Sequence, residues 1–189
     1  ISAAHCAPPW AGKARVVGIM AQISGAWVAA PVPVAQFSGI PFARPPVSEL
    51  RWSAPRPHVP REGKQYATGF APACMQDNRI VDWYADVAGA FGHGPEVVER
   101  PAGVSEDCLY LNVWTPDISA GARLPVMVFV HGGSNKGGWS YEPNYIGQNL
   151  AAKGVVVVTI TYRLGPFGFF SHRALDNGEG KPLANFALI

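Results

Sequence analysis

The residues most able to do chemistry lie in one run, His131-Gly132-Gly133-Ser134-Asn135-Lys136-Gly137-Gly138. Consecutive glycines let a backbone approach a ligand closely and turn its N–H groups outward. Two chemistries use such a loop: anchoring a phosphate, or stabilising an oxyanion. A tight turn with no ligand is the third reading. The phosphate readings fail on spacing. A P-loop ends in Gly-Lys-Ser/Thr, and here Gly138 is followed by Trp139. A dinucleotide fingerprint needs Gly-x-Gly-x-x-Gly, and counting from Gly132 the third position is Ser134. No serine has the Gly-x-Ser-x-Gly setting of a nucleophile elbow. Ser134 has Lys136 two places on, and Ser140 has Glu142. His131 is a candidate base, but its place before the glycines makes it a residue that shapes the loop. His5, His58, His93 and His172 are scattered and share no metal-ligand spacing, so no metal site is expected. Glu106 and Asp107 are candidate acid–base carboxylates. Trp83 and Tyr84 are candidates for ligand contact or for local anchoring.

The elements that position the loop can be read around it. Leu124 to Val130 is a nearly unbroken apolar run, as in a strand buried on both faces. Asn144 to Lys153 places Ile146 and Leu150 four apart and is followed by Gly154, which predicts a short helix. Val155 to Ile160 reads as a second buried strand. Strand, glycine loop, helix and strand make one βαβ unit of a parallel sheet, and ligands bind at the carboxyl ends of such strands. Cys108 to Trp114 alternates and reads as a strand. Arg15 to Ile23 and Trp27 to Phe37 read as an edge hairpin turning near Ser24-Gly25, with Pro31 and Pro33 barring a central place for the second strand. The prolines between Pro41 and Pro60 favour extended chain over helix. Cys74 to Ser105 reads as a long connection with little periodicity.

The chain has 189 residues, enough for one domain with a core. Its 21 glycines and 18 prolines imply many turns. A net charge of +2 points to neither nucleic acid nor an anionic membrane. The longest apolar runs are strand-sized, well short of the roughly 20 residues that cross a bilayer. Three cysteines leave one unpaired at most pairing: either Cys74 and Cys108 are free thiols, or they bridge and leave Cys6 over. Ile1-Ser2-Ala3-Ala4 reads as a frayed end or as the tail of a secretory signal, and the apolar final residues look cut.

Several stretches carry a family resemblance. They are Gly39-Ile40-Pro41-Phe42-Ala43-Arg44-Pro45-Pro46 with Leu50-Arg51-Trp52, then Ser105-Glu106-Asp107-Cys108-Leu109-Tyr110-Leu111-Asn112-Val113-Trp114-Thr115-Pro116, the glycine loop, Thr161-Tyr162-Arg163-Leu164-Gly165-Pro166-Phe167-Gly168-Phe169-Phe170, and Asn185-Phe186-Ala187-Leu188. In this order they resemble the type-B carboxylesterase/cholinesterase family of the α/β-hydrolase fold. The resemblance implies that residues 1–189 are the N-terminal portion of an α/β-hydrolase domain, ending before the nucleophile elbow. The implied fold is α/β, a mixed and mostly parallel sheet with an N-terminal edge hairpin. The implied function is hydrolysis of carboxylic esters through an acyl-enzyme. Serine, acid and histidine would follow downstream in that chain order, with no cofactor and a small-molecule ester as substrate.

By the same resemblance, the N–H groups of Gly133 and Ser134 are two of three oxyanion donors, with His131 and Gly132 shaping their loop. Ser134 stands in place of the usual third glycine. Asn135 replaces an apolar or aromatic residue on the acyl side, which implies a more polar acyl pocket. The resemblance also favours a Cys74–Cys108 disulfide, hence an oxidising compartment, secreted or periplasmic. It pairs Arg51 with Glu106 beneath that loop as a structural ion pair. The isolated chain is expected to be inactive. The other function the family allows is a non-catalytic adhesion or binding protein.

Overall fold

A computed structural model describes residues 13–17, 22–59, 62–175 and 185–188. Ile1-Ser2-Ala3-Ala4, His5 and Cys6 lie outside the described residues.

The chain builds one large sheet and a small satellite. The strands are β1 (Lys13–Val17), β2 (Gln22–Val28), β3 (Val34–Pro41), β4 (Lys64–Tyr66), β5 (Ala73–Cys74), β6 (Val104–Ser105), β7 (Tyr110–Thr115), β8 (Val126–Val130) and β9 (Val156–Ile160). The helices are α1 (Arg79–Ala90), α2 (Gln148–Ala151) and α3 (Gly165–Gly168). The main sheet runs β1-β2-β3-β7-β9-β8, with β4 beside β2, and β5 pairs only with β6.

The α/β class is as expected, but the expectation of a mostly parallel sheet is corrected. β1–β2, β2–β3, β3–β7 and β7–β9 are antiparallel. Within the main sheet only β2–β4 and β8–β9 are parallel. For β1–β2 and β2–β3 the reason is connection length, since short links between successive strands can only reverse the chain, whereas a parallel return needs a crossover. The β8–α2–β9 segment is that crossover, and it forms the βαβ unit read from the sequence.

Several boundaries shift for physical reasons. Ser24-Gly25 is not a turn but lies inside β2, where a Cβ on Gly25 would stand 2.2 Å from the Gln36 carbonyl oxygen of β3. Pro31 and Pro33 fall between β2 and β3 and so remove no ladder hydrogen bond. The helix expected over Asn144 to Lys153 shrinks to α2, because Pro143–Tyr145 is a 3-10 turn and Gly154 (φ +96°) closes the end. The segment from Cys74 to Ser105 is not structureless, since it carries α1, the longest helix among the described residues.

β8 is the largest departure. It was expected to be buried on both faces, yet all five of its residues are exposed. It ends the strand order, and α2 packs on β3, β7 and β9 instead. Burial on the other faces follows the period of two. Val34 joins Trp114, Ala151 and Val157 in one cluster, while the adjacent Ala35 joins Ala14, Phe37 and Ala67 in another.

Between Phe37 and Ile40 the β3–β7 register shifts by a bulge. Gly39 occupies it at φ +71°, a conformation that favours glycine. Its N–H donates to Asn112 Oδ1 of β7 at 3.0 Å. The Asn112 Nδ2 group donates to Thr159 Oγ1 of β9 at 3.1 Å and to Ser140 Oγ at 3.0 Å. This buried amide holds the bulge, the sheet centre and the segment after the glycine loop. We expect Asn112→Ala to lower the unfolding free energy by about 2–3 kcal/mol, since it orphans the Gly39 N–H. Urea titration measures this, and a loss below about 0.5 kcal/mol would count against it.

Candidate functional site

The glycine loop leaves the carboxyl end of β8 and folds back on itself. The Gly133 carbonyl accepts from Lys136 N at 3.0 Å and Gly137 N at 3.2 Å. Gly133 has φ +106°, and a Cβ there would lie 2.0 Å from the Gly137 oxygen, so only glycine fits. Ser134 (φ +56°) and Asn135 (φ +59°) follow in the left-handed region. Serine is thus held where glycine is at ease, at a cost of about 1–2 kcal/mol. The N–H groups of Lys136 and Gly137 are satisfied by Gly133. Those of Gly138 and Trp139 are satisfied by Gln76 Oε1 at 2.7 Å and Glu142 Oε1 at 3.0 Å. The N–H groups of Gly133 and Ser134 donate to nothing among the described residues. Gly132 and Gly133 border a cavity of about 420 Å³, together with Arg79, Trp83, Tyr84 and Tyr145.

His131 sits beneath this loop, 3% exposed. Its ring stacks on Tyr162 with centroids 4.6 Å apart. Tyr162 OH donates to the His131 carbonyl at 2.9 Å, and Nδ1 lies 2.9 Å from the Gly132 carbonyl oxygen. Burial pushes its pKa down from 6.5, opposed by the Gly132 carbonyl and the Glu142 carboxylate. The neutral ring with its proton on Nδ1 donates to Gly132, so the histidine supports the loop rather than facing a substrate. Its fit also needs Gly138, where a Cβ would stand 2.6 Å from Nδ1.

Glu142 is buried and ties the loop to α1. Beyond its bond to Trp139 N, its Oε2 accepts from Tyr84 OH at 2.5 Å. Burial, and then this bond, raise the Tyr84 pKa to about 12. Trp83 and Tyr84 therefore stand on a helix, not in a loop. Trp83 is exposed and Tyr84 is an anchor, and both line the cavity.

A second group of residues frames the loop. Cys74 and Cys108 are joined by a disulfide spanning 34 residues, at the point where β5 pairs with β6. Arg51 Nε and a terminal nitrogen donate to the two Glu106 oxygens at 2.5 and 2.7 Å. This bidentate bond to Glu106 raises the Arg51 pKa above its usual value. Asp107 is placed away from the glycine loop, in a cleft with His58, Lys64 and Tyr110. Arg163, 2% exposed, donates to the carbonyls of Arg51 and Ser53 at 2.8 Å each, and to that of Phe186. Among the described residues no cluster of three or more His, Cys, Asp or Glu could hold a metal ion. None of their helices is long and apolar enough to cross a membrane.

Comparison with known proteins supplies the family. The model of the carboxylesterase family matches residues 13–180. The chain belongs to that family. It is 43% identical over 157 residues to a fumonisin B1 esterase of Sphingopyxis macrogoltabida, covering 82% of this chain and 26% of that protein. It is 45% identical over 141 residues to a liver carboxylesterase of Sus scrofa, covering 74% and 24%. A solved thermophilic PNB esterase superposes with a TM-score of 0.71 at 35% identity, covering 91% of this chain and 32% of that one. The chain thus spans about a quarter of the length of these two curated relatives.

In this carboxylesterase-family chain, four positioning side chains escaped the sequence reading: Gln76, Asn112, Glu142 and Arg163. Each makes a contact far away in sequence, which no spacing rule reveals. Tyr84 was noticed for its ring, whereas its hydroxyl makes the contact that matters here. Two tests follow from the geometry. Arg51→Ala and Glu106→Ala should destabilise by less together than the sum of their separate effects, as measured in a double-mutant cycle. His131 should make stability pH-dependent. Its folded pKa lies below its unfolded 6.5, so its contribution is complete above that value and is lost as pH falls through the folded pKa. Urea midpoints should fall from pH 7 to 5 more steeply in the unaltered chain than in His131→Leu.

Proposed function

We propose that this chain is the oxyanion-holding part of a serine carboxylesterase. The observation that carries the reading is the run of unspent N–H groups from Gly132 to Asn135, with Gly133 and Ser134 at its centre, at the carboxyl end of a parallel strand. Every following N–H from Lys136 to Trp139 already has an acceptor. Buried or half-buried N–H groups are ordinarily paired, so the free N–H of half-buried Gly133, with that of exposed Ser134 beside it, suits a ligand that brings negative charge. When a serine attacks an ester carbonyl, the carbonyl oxygen gains charge in the tetrahedral intermediate, and such donors stabilise it. The third donor would be the N–H after the nucleophile, on a Gly-x-Ser-x-Gly turn that is not among these 189 residues. Serine, acid and histidine would complete the site in the longer protein, with His131 remaining beneath the loop.

The substrate would be a small carboxylic ester with a polar acyl side. Asn135 and Lys136 are exposed beside the free donors, and Arg79 borders the same cavity. The relatives do not narrow this further, since similar proteins are described as a fumonisin B1 esterase and a phenmedipham hydrolase. The Cys74–Cys108 bridge supports an oxidising compartment, secreted or periplasmic. The family's adhesion role is less well supported, because free oxyanion donors have no use in it.

The complete protein should hydrolyse activated esters and be labelled once per chain by a serine-directed phosphonate. The 189-residue chain alone should do neither. Gly133→Ala in the complete protein should lower kcat by about a hundredfold or more, the cost of a lost oxyanion donor. An unlabelled complete protein, or a strong preference for long fatty acyl esters over polar ones, would defeat the respective parts of this reading.

A further inference from the structure

Gln76 is the only side chain among the described residues that grips a glycine of the loop at both backbone groups. Its Oε1 accepts from Gly138 N at 2.7 Å, and its Nε2 donates to the Gly138 carbonyl at 2.8 Å. The same Nε2 reaches the Cys74 carbonyl at 3.1 Å. Cys74 is bonded to Cys108, so the amide stands between the disulfide and the loop. A Cβ on Gly137 would stand 3.1 Å from Gln76 Oε1 and 2.7 Å from Ile80 of α1, so the amide packs against the loop as well as bonding to it.

The grip acts at the base of the turn. Gly138 is held at φ +110°, and the turn between Gly133 and Gly137 is closed by the two bonds to the Gly133 carbonyl. The Gly133 peptide plane is fixed by those bonds, and the Ser134 N–H belongs to that plane. If Gly138 can rotate, Gly137 N loses its alignment with the Gly133 oxygen, and the plane carrying the Ser134 N–H is released. No other described side chain can replace the grip. Glu142 reaches Trp139 but not Gly138, and His131 bonds to Gly132.

We infer that Gln76 is a positioning residue for ester hydrolysis: it fixes the orientation of the Ser134 donor through Gly138 and transmits to it the rigidity of the Cys74–Cys108 bridge. This rests on the oxyanion reading given above. A positioning role of this kind acts on the transition state, where the oxygen carries charge, more than on the bound ester. Its loss should therefore appear in kcat and leave KM nearly unchanged.

The test uses the complete protein and two substitutions. Gln76→Leu removes both bonds and should lower kcat by about ten- to a hundredfold, less than losing a donor outright, with KM changed less than threefold. Gln76→Glu keeps the acceptor for Gly138 N but loses the donor while ionised. Protonation of the new carboxyl restores a donor, so the ratio of its kcat to that of the unaltered protein should rise as pH is lowered from 8 to 5. A purely structural role would lower thermal stability in both variants with no such pH-dependent ratio. Reducing the disulfide should lower kcat in the unaltered protein and have little further effect in Gln76→Leu. If the unaltered protein hydrolyses esters and takes the phosphonate but Gln76→Leu keeps its kcat, the inference is wrong and the oxyanion reading stands. If Gln76→Leu does not fold, a flat kcat ratio for Gln76→Glu across pH overturns the inference by itself. If the unaltered protein neither turns over nor is labelled, the oxyanion reading fails, and the inference fails with it.

Discussion

The structure depends on one buried amide. Asn112 accepts from the N–H of a bulged glycine in β3 and donates to hydroxyls on β9 and on Ser140. A β-bulge leaves a backbone group without its ladder partner. Buried, that group must be bonded or cost stability. Because Asn112 supplies the bond from the neighbouring strand, β3 can kink without losing β7. The same side chain then fixes Ser140, so the chain leaving the glycine loop is registered against the sheet centre. The loop enters from the end of β8, an exposed strand with one neighbour. Its exit is anchored through this amide, and its entrance through Tyr162, which stacks on His131 and bonds its carbonyl.

The same division of labour appears in the frame around the site. The disulfide, the Arg51–Glu106 pair and Arg163 share no covalent neighbourhood with the glycine loop, yet each fixes irregular chain. Arg163 satisfies three carbonyls that lie outside strands and helices. Burial lowers its pKa, but it remains a cation. A lysine could not match this planar fork. Long proline-rich and loop segments have few backbone bonds of their own, so side chains of this kind must supply them.

How much of this was legible follows from the range of each signal. The β8–α2–β9 unit, β7 and the glycine loop were readable because apolar runs and glycines act locally. The antiparallel N-terminal hairpin was readable too, but the directions of β3–β7 and β7–β9 were not, because parallel and antiparallel strands share one side-chain period. The exposure of β8 was not either. An apolar run announces what it could bury, and only the sheet order decides whether a neighbour is present. Helix α1 was overlooked although Ile80, Val81, Tyr84 and Val87 have helical spacing, because only Val81 is fully buried and the face is diluted by Asp82, Ala85 and Asp86. Residues such as Gln76 and Glu142 act across 62 and 58 positions, on the Gly138 carbonyl and the Tyr84 hydroxyl, so their types carry no mark of their targets.

The serine in the loop shows how these levels meet. At φ +56° Ser134 occupies a conformation that glycine enters without penalty, and Asn135 follows at +59°. Asparagine is among the residues that tolerate it best. Serine gains nothing locally, since its hydroxyl has no partner among the described residues. Such strain persists only where the surroundings over-determine the backbone, and here they do, through the two bonds to the Gly133 carbonyl and the bonds to Gly138 and Trp139. A side chain at this position narrows the conformations open to the peptide in a way that glycine cannot. Serine here thus exchanges a modest cost in folding for a stiffer peptide, which a flexible glycine run would have to obtain from its neighbours alone.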